Sequence, residues 1–270
     1  MGGSSGIEVD APASPGSHDH GVELTIVVPV YNEGEAVEPV LRALEAAVTT
    51  SHETLVVFDF PADTTVPVVE RLTPELPFVR GLLNERGRGV LQAMRAGFDA
   101  AAGELILTSM ADGSDEPHVI DEMVVQARAG ADVVAGSRYM SGGHQLGGPP
   151  VKRLLSRLAG LTLHWFGGVP IHDATSNFRL YRASFLRSVT IQSTAGFELA
   201  LELTVKATLG GYRLAEVPTT WRDRTSGTSN FKLRAWLPHY LHWYALAFRA
   251  RLRRSPPARG DGARGPKPTD

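Results

Sequence analysis

The sequence predicts an α/β fold in which a mainly parallel sheet is flanked by helices. Strand-like and helix-like segments alternate along the first half of the 270-residue chain, which is typical of parallel strands joined by crossover helices. Each strand-like segment is a continuous apolar run, as expected for a strand that is buried on both faces. Polar residues gather where these runs end, and ligands of such sheets bind beyond the carboxyl ends of the strands.

The elements follow from local patterns. Short runs rich in Val, Leu and Ile predict strands, and apolar residues at helical spacing predict helices. The helix at 88–102 is closed by Gly103, and Pro117 opens the next one, in a position where proline is favoured. The predicted strands are 24–30, 54–58, 78–83, 105–109 and 132–135, and the predicted helices are 33–48, 88–102 and 117–128.

One main domain is expected from residue 23 to residue 234, with an amphipathic helix after it at 235–254. Residues 1–22 and 255–270 are poor in apolar residues and rich in Gly, Ser, Pro or Arg, which predicts a disordered arm and a disordered tail. The first 20 residues lack the apolar core of a signal peptide, and no run of 18 apolar residues predicts a membrane span.

Charge and cysteine content exclude several classes of protein. The chain has 27 Lys and Arg against 29 Asp and Glu, a net charge of −2, so no overall field favours nucleic acid. Cysteine is absent. This excludes disulfides and thiolate metal sites, and it fits a reducing compartment.

Polar residues follow four of the predicted strands. They are Tyr31 to Glu33, Asp59, the segment 112–115 and Arg138 with the serine before it. The carboxyl ends of parallel strands meet at one edge of a sheet, so we expect these four groups to face the same ligand.

Asp112 and Asp115 predict a metal site. They lie on a tight Gly-Ser turn after a buried strand. The charge of a bound diphosphate is commonly balanced by Mg²⁺ or Mn²⁺, held by one or two carboxylates and the phosphates themselves. The alternative is a solvated acidic turn or a helix cap.

The glycines Gly87 and Gly89 do not make a dinucleotide fingerprint. The third glycine of that pattern is missing, the pair does not follow the first strand, and the chain has no Walker A lysine loop. The two glycines either let the backbone approach a ligand or form a simple loop.

Seven motifs follow one another between about residues 24 and 235. They are VVPVYNE (27–33) with Asp59 and Asp63, NERGRG (84–89) with the Ala- and Gly-spaced helix after it, ADGSDEP (111–117), GSRYMSGG (136–143), DATSNFRLYR (173–182), GFELALEL (196–203) and EVPTTWRDRTSGTSNFKL (216–233). In this order they resemble the family 2 glycosyltransferases of the GT-A (Rossmann-like) fold, and especially their dolichyl-phosphate mannose synthase branch. The resemblance implies an inverting, metal-dependent enzyme that moves a sugar from a GDP- or UDP-sugar to a polyprenyl phosphate.

Two positions depart from the family pattern. The family has Asp-x-Asp at the metal site, whereas Met110 stands here at the first position and Asp112 at the second. Asp115 is the expected replacement ligand. In the late R-x-x-G-x-S-K pattern, Asn230 replaces the lysine, although Lys232 is close by.

The resemblance also implies roles for individual residues. The residues implied to contact the nucleotide sugar are Pro29, Tyr31, Glu33, Asp59, Asn84, Gly89, Ala111 and Asp112, and those implied to bind the metal are Asp112 and Asp115. The residues implied to bind the acceptor phosphate are Arg138, Lys152, Arg153, Ser156 and Ser229. The implied catalytic residues are Arg138, Asp173 and Arg224, with Asp173 as the base if the acceptor is a hydroxyl group.

Two segments are amphipathic. On a helical wheel of 151–166, apolar residues occupy one side and basic or polar residues the other, with Leu163 as the exception. A wheel of 235–254 is similar and ends in the basic sequence RARLRR. Both suit a bilayer interface. The alternatives are packing on the protein's own core or, for the second segment, contact between copies of the chain.

The expectation is therefore a cytoplasmic enzyme, peripheral on the inner face of the membrane. Its expected partners are a nucleotide sugar, a polyprenyl phosphate and the membrane surface, without nucleic acid, and a homo-oligomer is left open. The rival interpretations are transfer to a hydroxyl acceptor and an inactive relative that binds nucleotides as a membrane scaffold.

Overall fold

The computed structural model describes residues 21–194, 196, 198–223 and 233–253. The strands are β1 Leu24–Val30, β2 His52–Phe58, β3 Val79–Leu83, β4 Leu105–Thr108, β5 Val133–Ser137, β6 His144–Leu146, β7 Arg179–Arg182, β8 Leu214–Pro218 and β9 Thr220–Arg222. The α-helices are α1 Val37–Ala47, α2 Val66–Leu72, α3 Val90–Ala100, α4 Ile120–Arg128, α5 Pro150–Trp165, α6 Ala183–Ser188, α7 Leu199–Gly210 and α8 Leu233–Arg253, and short 3-10 turns precede α1 and α4. Almost all of the predicted arm (1–22) and the whole predicted tail (255–270) lie outside the described residues.

Seven strands form one sheet in the order β3-β2-β1-β4-β7-β5-β8. Only β7 runs against its neighbours, β4 and β5, and the remaining pairs are parallel. Because β7 reverses direction between them, β4 and β5 point the same way as β1 and β2. The predicted α/β fold with a mainly parallel sheet is therefore confirmed, and the four polar strand ends share one edge. The sequence patterns had missed α2 and most of the elements in the second half of the chain, namely β6, β7, β8, β9, α6 and α7.

Apolar layers cover both faces of this sheet. One layer packs α1, α2 and α4 against one face, and the other packs α3, α6 and α7 against the opposite face. All seven residues of β1 are buried, which explains why the sequence of a central strand reads as an unbroken apolar run. A third cluster joins α5, α7 and α8.

Helix α5 presents its apolar side outward. The side chains of Leu154, Leu155 and Leu158 are 57%, 44% and 48% exposed, whereas Leu163, the exception on the helical wheel, is fully buried. Gly160 allows the helix to approach the backbone of His172 closely, since a Cβ at this position would lie 2.3 Å from the backbone oxygen of His172. Most of the apolar side of this helix is therefore exposed, and the alternative that it packs on the protein's own core holds only for the part of the helix around Leu163.

Helix α8 is partly packed on the protein's own core and partly exposed. Trp243 and Ala247 are buried in the cluster with α5 and α7, while Leu241 is 54% exposed. Tyr244 is bonded to Thr162 of α5 through its hydroxyl, at 2.6 Å. A part of this helix thus completes the core, which the wheel alone did not predict. Among the described residues, no helix has the length and apolarity needed to cross a bilayer.

Candidate active site

Asp59, which directly follows β2, is hydrogen-bonded to the loop that contains Gly87 and Gly89. One carboxylate oxygen accepts a hydrogen bond from the Asn84 side chain at 2.8 Å, and the other accepts one from the Gly89 backbone at 2.7 Å. Gly89 has a φ of +113°, which a residue with a side chain rarely adopts. Asp59 therefore shapes the loop from which α3 begins, at the edge where a ligand is expected.

The end of β1 is fixed by a second carboxylate. Buried Asp63 accepts hydrogen bonds from the backbone of Asn32 at 2.9 Å and of Thr65 at 2.8 Å. Asn32 has a φ of +54°. Beside this turn the exposed ring of Tyr31 contacts Phe60 edge-on, with ring centroids 5.8 Å apart.

Asp112 and Asp115 lie together on the turn that follows β4. Asp112 accepts hydrogen bonds from the Ser114 backbone at 3.1 Å and from its hydroxyl at 2.5 Å. Asp115 accepts one from the Met110 backbone at 3.0 Å. Burial raises the pKa of Asp115 to about 7, the Met110 hydrogen bond opposes this, and the nearby charge of Asp112 adds to it.

The turn has the chemistry of a shared magnesium or manganese site. A dication would offset both the burial of Asp115 and its repulsion from Asp112, and hard oxygen ligands are what these ions prefer. No group of three or more His, Cys, Asp or Glu residues suited to a metal occurs in the described part of the chain. The residues thus fit an ion held jointly with a diphosphate, because Mg²⁺ is commonly bound by one or two carboxylates plus substrate phosphates.

Arg138 and Asp173 form a nearly buried ion pair beyond β5. The guanidinium meets the carboxylate twice, with Nε at 2.7 Å from Oδ2 and Nη2 at 3.0 Å from Oδ1. Asp173 is fully buried and the Arg138 side chain is 11% exposed. Asp173 also accepts hydrogen bonds from the backbone of Thr175 and Ser176, so its position is strongly determined.

The pair fixes the charge on both groups. Burial acts to raise the pKa of Asp173, but the Arg138 charge and its hydrogen bonds outweigh it and lower that pKa below its ordinary range. Burial likewise acts to lower the pKa of Arg138, and Asp173 outweighs it and raises that pKa. A carboxylate held ionised by two charge-assisted hydrogen bonds is a weak base, which argues against Asp173 as the general base.

A cationic cleft of about 570 Å³ opens beside this pair. Arg138, Arg153 and Arg157 all line it, and Leu154 lines it too while lying largely exposed on the outer side of α5. Arg153 and Arg157 are exposed, and none of the described carboxylates lies within salt-bridge distance of either one. The cleft therefore offers positive charge next to an apolar helix surface.

Hydroxyl groups line up behind the cleft. Ser156 of α5 lies 2.8 Å from the Thr175 hydroxyl, and it accepts a hydrogen bond from the Tyr139 hydroxyl at 2.9 Å. Tyr139 is also 3.1 Å from the side-chain oxygen of Gln145, and its ring lies under the Arg138 guanidinium at 4.9 Å. Burial raises the pKa of Tyr139, so the hydroxyl stays neutral.

The structure brings most predicted site residues to one edge of the sheet. They form two groups, one around Asp59, Asp112 and Asp115 and the other around Arg138 and Asp173. Pro29, Asn84 and Ala111 are buried, so they reach a ligand only through backbone atoms or neighbouring side chains. Arg224 and Ser229 lie outside the described residues, as does the side chain of Lys152. The sequence interpretation missed Tyr139, Gln145 and Arg157. The sequence carried a signal for two of these: Tyr139 directly follows Arg138, and Arg157 lies one helical turn after Arg153.

Comparisons with known proteins agree with this geometry. The family model described as Glycosyl transferase family 2 matches residues 25–190. A polyprenol monophosphomannose synthase of Mycolicibacterium smegmatis is 32% identical over 76% of this chain and 79% of its own length. An undecaprenyl-phosphate mannosyltransferase of Micrococcus luteus is 31% identical over 75% and 85%, and a dolichol-phosphate mannosyltransferase of Pyrococcus furiosus is 27% identical over 83% and 64%.

Solved structures share the fold at low sequence identity. Glucosyl-3-phosphoglycerate synthase of Mycobacterium tuberculosis, in complex with Mn²⁺, uridine diphosphate and phosphoglyceric acid, superposes with a TM-score of 0.60 at 15% identity, over 85% of this chain and 78% of that one. TarS 1–349 of S. aureus, in complex with UDP-GlcNAc, gives 0.59 at 16% identity, over 84% and 66%.

Proposed function

The chain belongs to glycosyl transferase family 2 and is a glycosyltransferase, and from this premise we propose that it transfers one sugar, mannose as in its named relatives, from a GDP- or UDP-sugar to a polyprenyl phosphate. The anomeric centre is inverted in a single displacement. Asp112 and Asp115 would hold Mg²⁺ or Mn²⁺, and the bound ion would supply positive charge for the leaving diphosphate.

The cationic cleft is the observation that carries the proposal. A polyprenyl phosphate has a small anionic head and a long apolar chain, and the cleft is lined by three arginines together with the apolar side chain of Leu154. Arg138 is already paired with Asp173, so the charge that meets the phosphate comes mainly from Arg153 and Arg157. Arginine suits this role, because its planar fork binds phosphate oxygens in pairs.

The chemistry requires no strong base. A phosphate monoester oxygen is already anionic, so the residues need only align it with the sugar and neutralise the departing charge. This agrees with a site in which the best candidate base, Asp173, is held ionised by Arg138. A hydroxyl acceptor would need a carboxylate free to take a proton.

The outer side of α5 supports action at a membrane surface. Its exposed leucines stand next to exposed Arg153 and Arg157, the combination of an interfacial helix. An enzyme placed in this way meets a lipid phosphate in the plane of the headgroups. Peripheral attachment at the cytoplasmic face of the membrane is part of the proposal.

The test is a panel of nucleotide sugars offered to a short polyprenyl phosphate with Mg²⁺ present, with products identified by mass. The expected product is a glycosyl phosphate lipid formed from a GDP- or UDP-sugar, mannose first among them. Arg153→Ala with Arg157→Ala should raise the acceptor KM about 100-fold and change the donor KM little. Transfer only to hydroxyl acceptors, or nucleotide binding without any transfer, would reject the proposal.

A further inference from the structure

The turn that carries Asp112 and Asp115 is tied to strand β9. The backbone N–H of Arg222 donates to the Ser114 carbonyl at 3.0 Å, and the N–H of Thr220 donates to Oε2 of Glu116 at 2.7 Å. Glu116 follows Asp115 directly, and its side chain is 23% exposed. Two hydrogen bonds thus join the donor side of the site to a strand that lies outside the main sheet.

Strand β9 is in turn paired with β6, which lies at the cleft. The two form a parallel two-stranded sheet with Gln145 opposite Trp221, and the His144 backbone donates to the Thr219 carbonyl at 3.0 Å. His144 and Gln145 line the cleft, and the side-chain oxygen of Gln145 lies 3.1 Å from the Tyr139 hydroxyl. A continuous set of hydrogen bonds therefore runs from the metal turn to the cleft.

We propose that the β6–β9 sheet couples donor binding to acceptor binding, and that Glu116 is the positioning residue through which this coupling passes. The proposal rests on the proposed function, since it takes the diphosphate to bind at the metal turn and the acceptor phosphate to bind in the cleft. A donor that orders the turn fixes β9 through Glu116, and β9 fixes β6 at the cleft. Such coupling is reciprocal, so each ligand raises the affinity for the other by the same factor.

The carboxylate of Glu116 is suited to this role by its reach. Its Oε2 atom accepts the Thr220 hydrogen bond, while His118 lies 3.9 Å from the other oxygen. Glutamine keeps an acceptor oxygen at the same distance from the backbone, aspartate keeps the charge but is one methylene shorter, and alanine keeps neither. These three substitutions separate the hydrogen bond from the charge.

The experiment measures the Kd of farnesyl phosphate with and without saturating Mg²⁺ and GDP or UDP, whichever nucleotide binds. The wild-type protein is expected to bind the lipid phosphate roughly tenfold more tightly with nucleotide present, a coupling of ordinary size. In Glu116→Ala the ratio should fall to about one, with a matching rise in acceptor KM and little change in kcat. Glu116→Gln should keep the ratio, as should Glu122→Ala, which removes an exposed carboxylate of the same segment.

Thermal unfolding of each variant separates coupling from stability, because a purely structural role for Glu116 would lower the Tm and leave the ratio unchanged. Should Glu116→Ala fail to fold, Glu116→Asp makes the same test, with an expected ratio near one. A wild-type ratio of one, or a wild-type ratio in folded Glu116→Ala or Glu116→Asp, overturns the coupling alone. Failure of the wild-type protein to bind either ligand overturns the proposed function along with it.

Discussion

At the scale of single residues, the site separates two kinds of carboxylate. Asp112 and Asp115 share a turn, and the burial of Asp115 and its repulsion from Asp112 are unfavourable unless a cation is near. Asp173 has its cation built in, because Arg138 pairs with it through two hydrogen bonds. The first pair is therefore suited to hold a ligand's charge, and the second to hold the protein's own geometry.

The first prediction concerns Asp112. Asp112→Asn should lower transfer by about 100-fold or more, because it removes charge from the place where the diphosphate leaves. It should also weaken Mg²⁺ or Mn²⁺ binding, which is measured by titration of the metal in the presence of nucleoside diphosphate. Glu70→Gln, which changes an exposed carboxylate on α2, is the control and should behave as wild type. Wild-type activity in Asp112→Asn would reject the metal assignment.

The second prediction concerns Asp173. Asp173→Asn keeps the shape of the side chain and removes the charge that pairs directly with buried Arg138, which costs about 3–5 kcal/mol of stability. Since the pair lowers the pKa of Asp173, its contribution is fully present above the ordinary aspartate pKa and is lost as the pH falls through the lowered one. Stability measured from about pH 5 upward should therefore show no step from this group.

The pH dependence of transfer shows whether Asp173 holds Arg138 in position or acts as a general base. If Asp173 only holds Arg138 in place, the pH dependence of kcat between about pH 5 and pH 8 should have the same form in the wild-type protein and in Asp173→Asn. A base would instead give the wild-type protein a fall in kcat toward low pH that is absent from Asp173→Asn. Such a fall would assign Asp173 the role of base and favour a hydroxyl acceptor.

At the scale of elements, α5 is unusual because its apolar side faces away from the body of the protein. The third prediction replaces two exposed leucines, in Leu155→Glu with Leu158→Glu. Binding to vesicles that contain anionic lipid should fall sharply in a flotation assay, while the free energy of unfolding changes by less than about 1 kcal/mol. Leu163→Ala is the matched control on the buried side. It should lower stability by about 2–5 kcal/mol and leave vesicle binding intact while folded.

A fourth prediction concerns the start of α4. Asp121 accepts four hydrogen bonds from the backbone and hydroxyl groups of Thr49 and Thr50. Partial burial acts to raise its pKa, but these bonds outweigh burial and lower the pKa from 3.8 to about 2. The group is largely solvated, so its contribution is about 1 kcal/mol after allowance for screening. It is present above about pH 4 and is lost as the pH falls from about 4 to 2.

Asp121→Ala should therefore lower stability by about 1 kcal/mol at neutral pH, and the difference from wild type should shrink in chemical unfolding as the pH approaches 2. A difference that stays constant down to that pH would contradict the assignment.

At the scale of the whole molecule, the sequence predicted those features that depend on local pattern. Central strands such as β1 are continuous apolar runs, and the polar groups at their ends define the ligand edge. Long-range features were missed. Arg179 is fully buried in β7 and donates to the carbonyls of Asp173 at 2.7 Å and Ala200 at 3.1 Å, although an isolated arginine predicts a surface position. The antiparallel pairing of β7 and the cleft likewise depend on contacts between distant segments.

The last prediction tests what α8 contributes to the whole fold. Its sequence alone favours a membrane surface, but Trp243 and Ala247 are buried with Leu163 of α5 and Val205 of α7, and Lys206 of α7 lies 5.0 Å from the Trp243 ring. Truncation after Lys232 should therefore lower the Tm strongly and weaken nucleotide binding too, because α7 is also part of the layer that covers the main sheet.

Trp243→Ala alone should cost about 3–5 kcal/mol, whereas Leu252→Ala, at a side chain that is 84% exposed, should cost almost nothing. Thermal unfolding and nucleotide titration measure both effects. A truncated protein with the wild-type Tm, which binds nucleotide normally but no longer floats with vesicles, would show that α8 serves membrane binding and is not needed for the core.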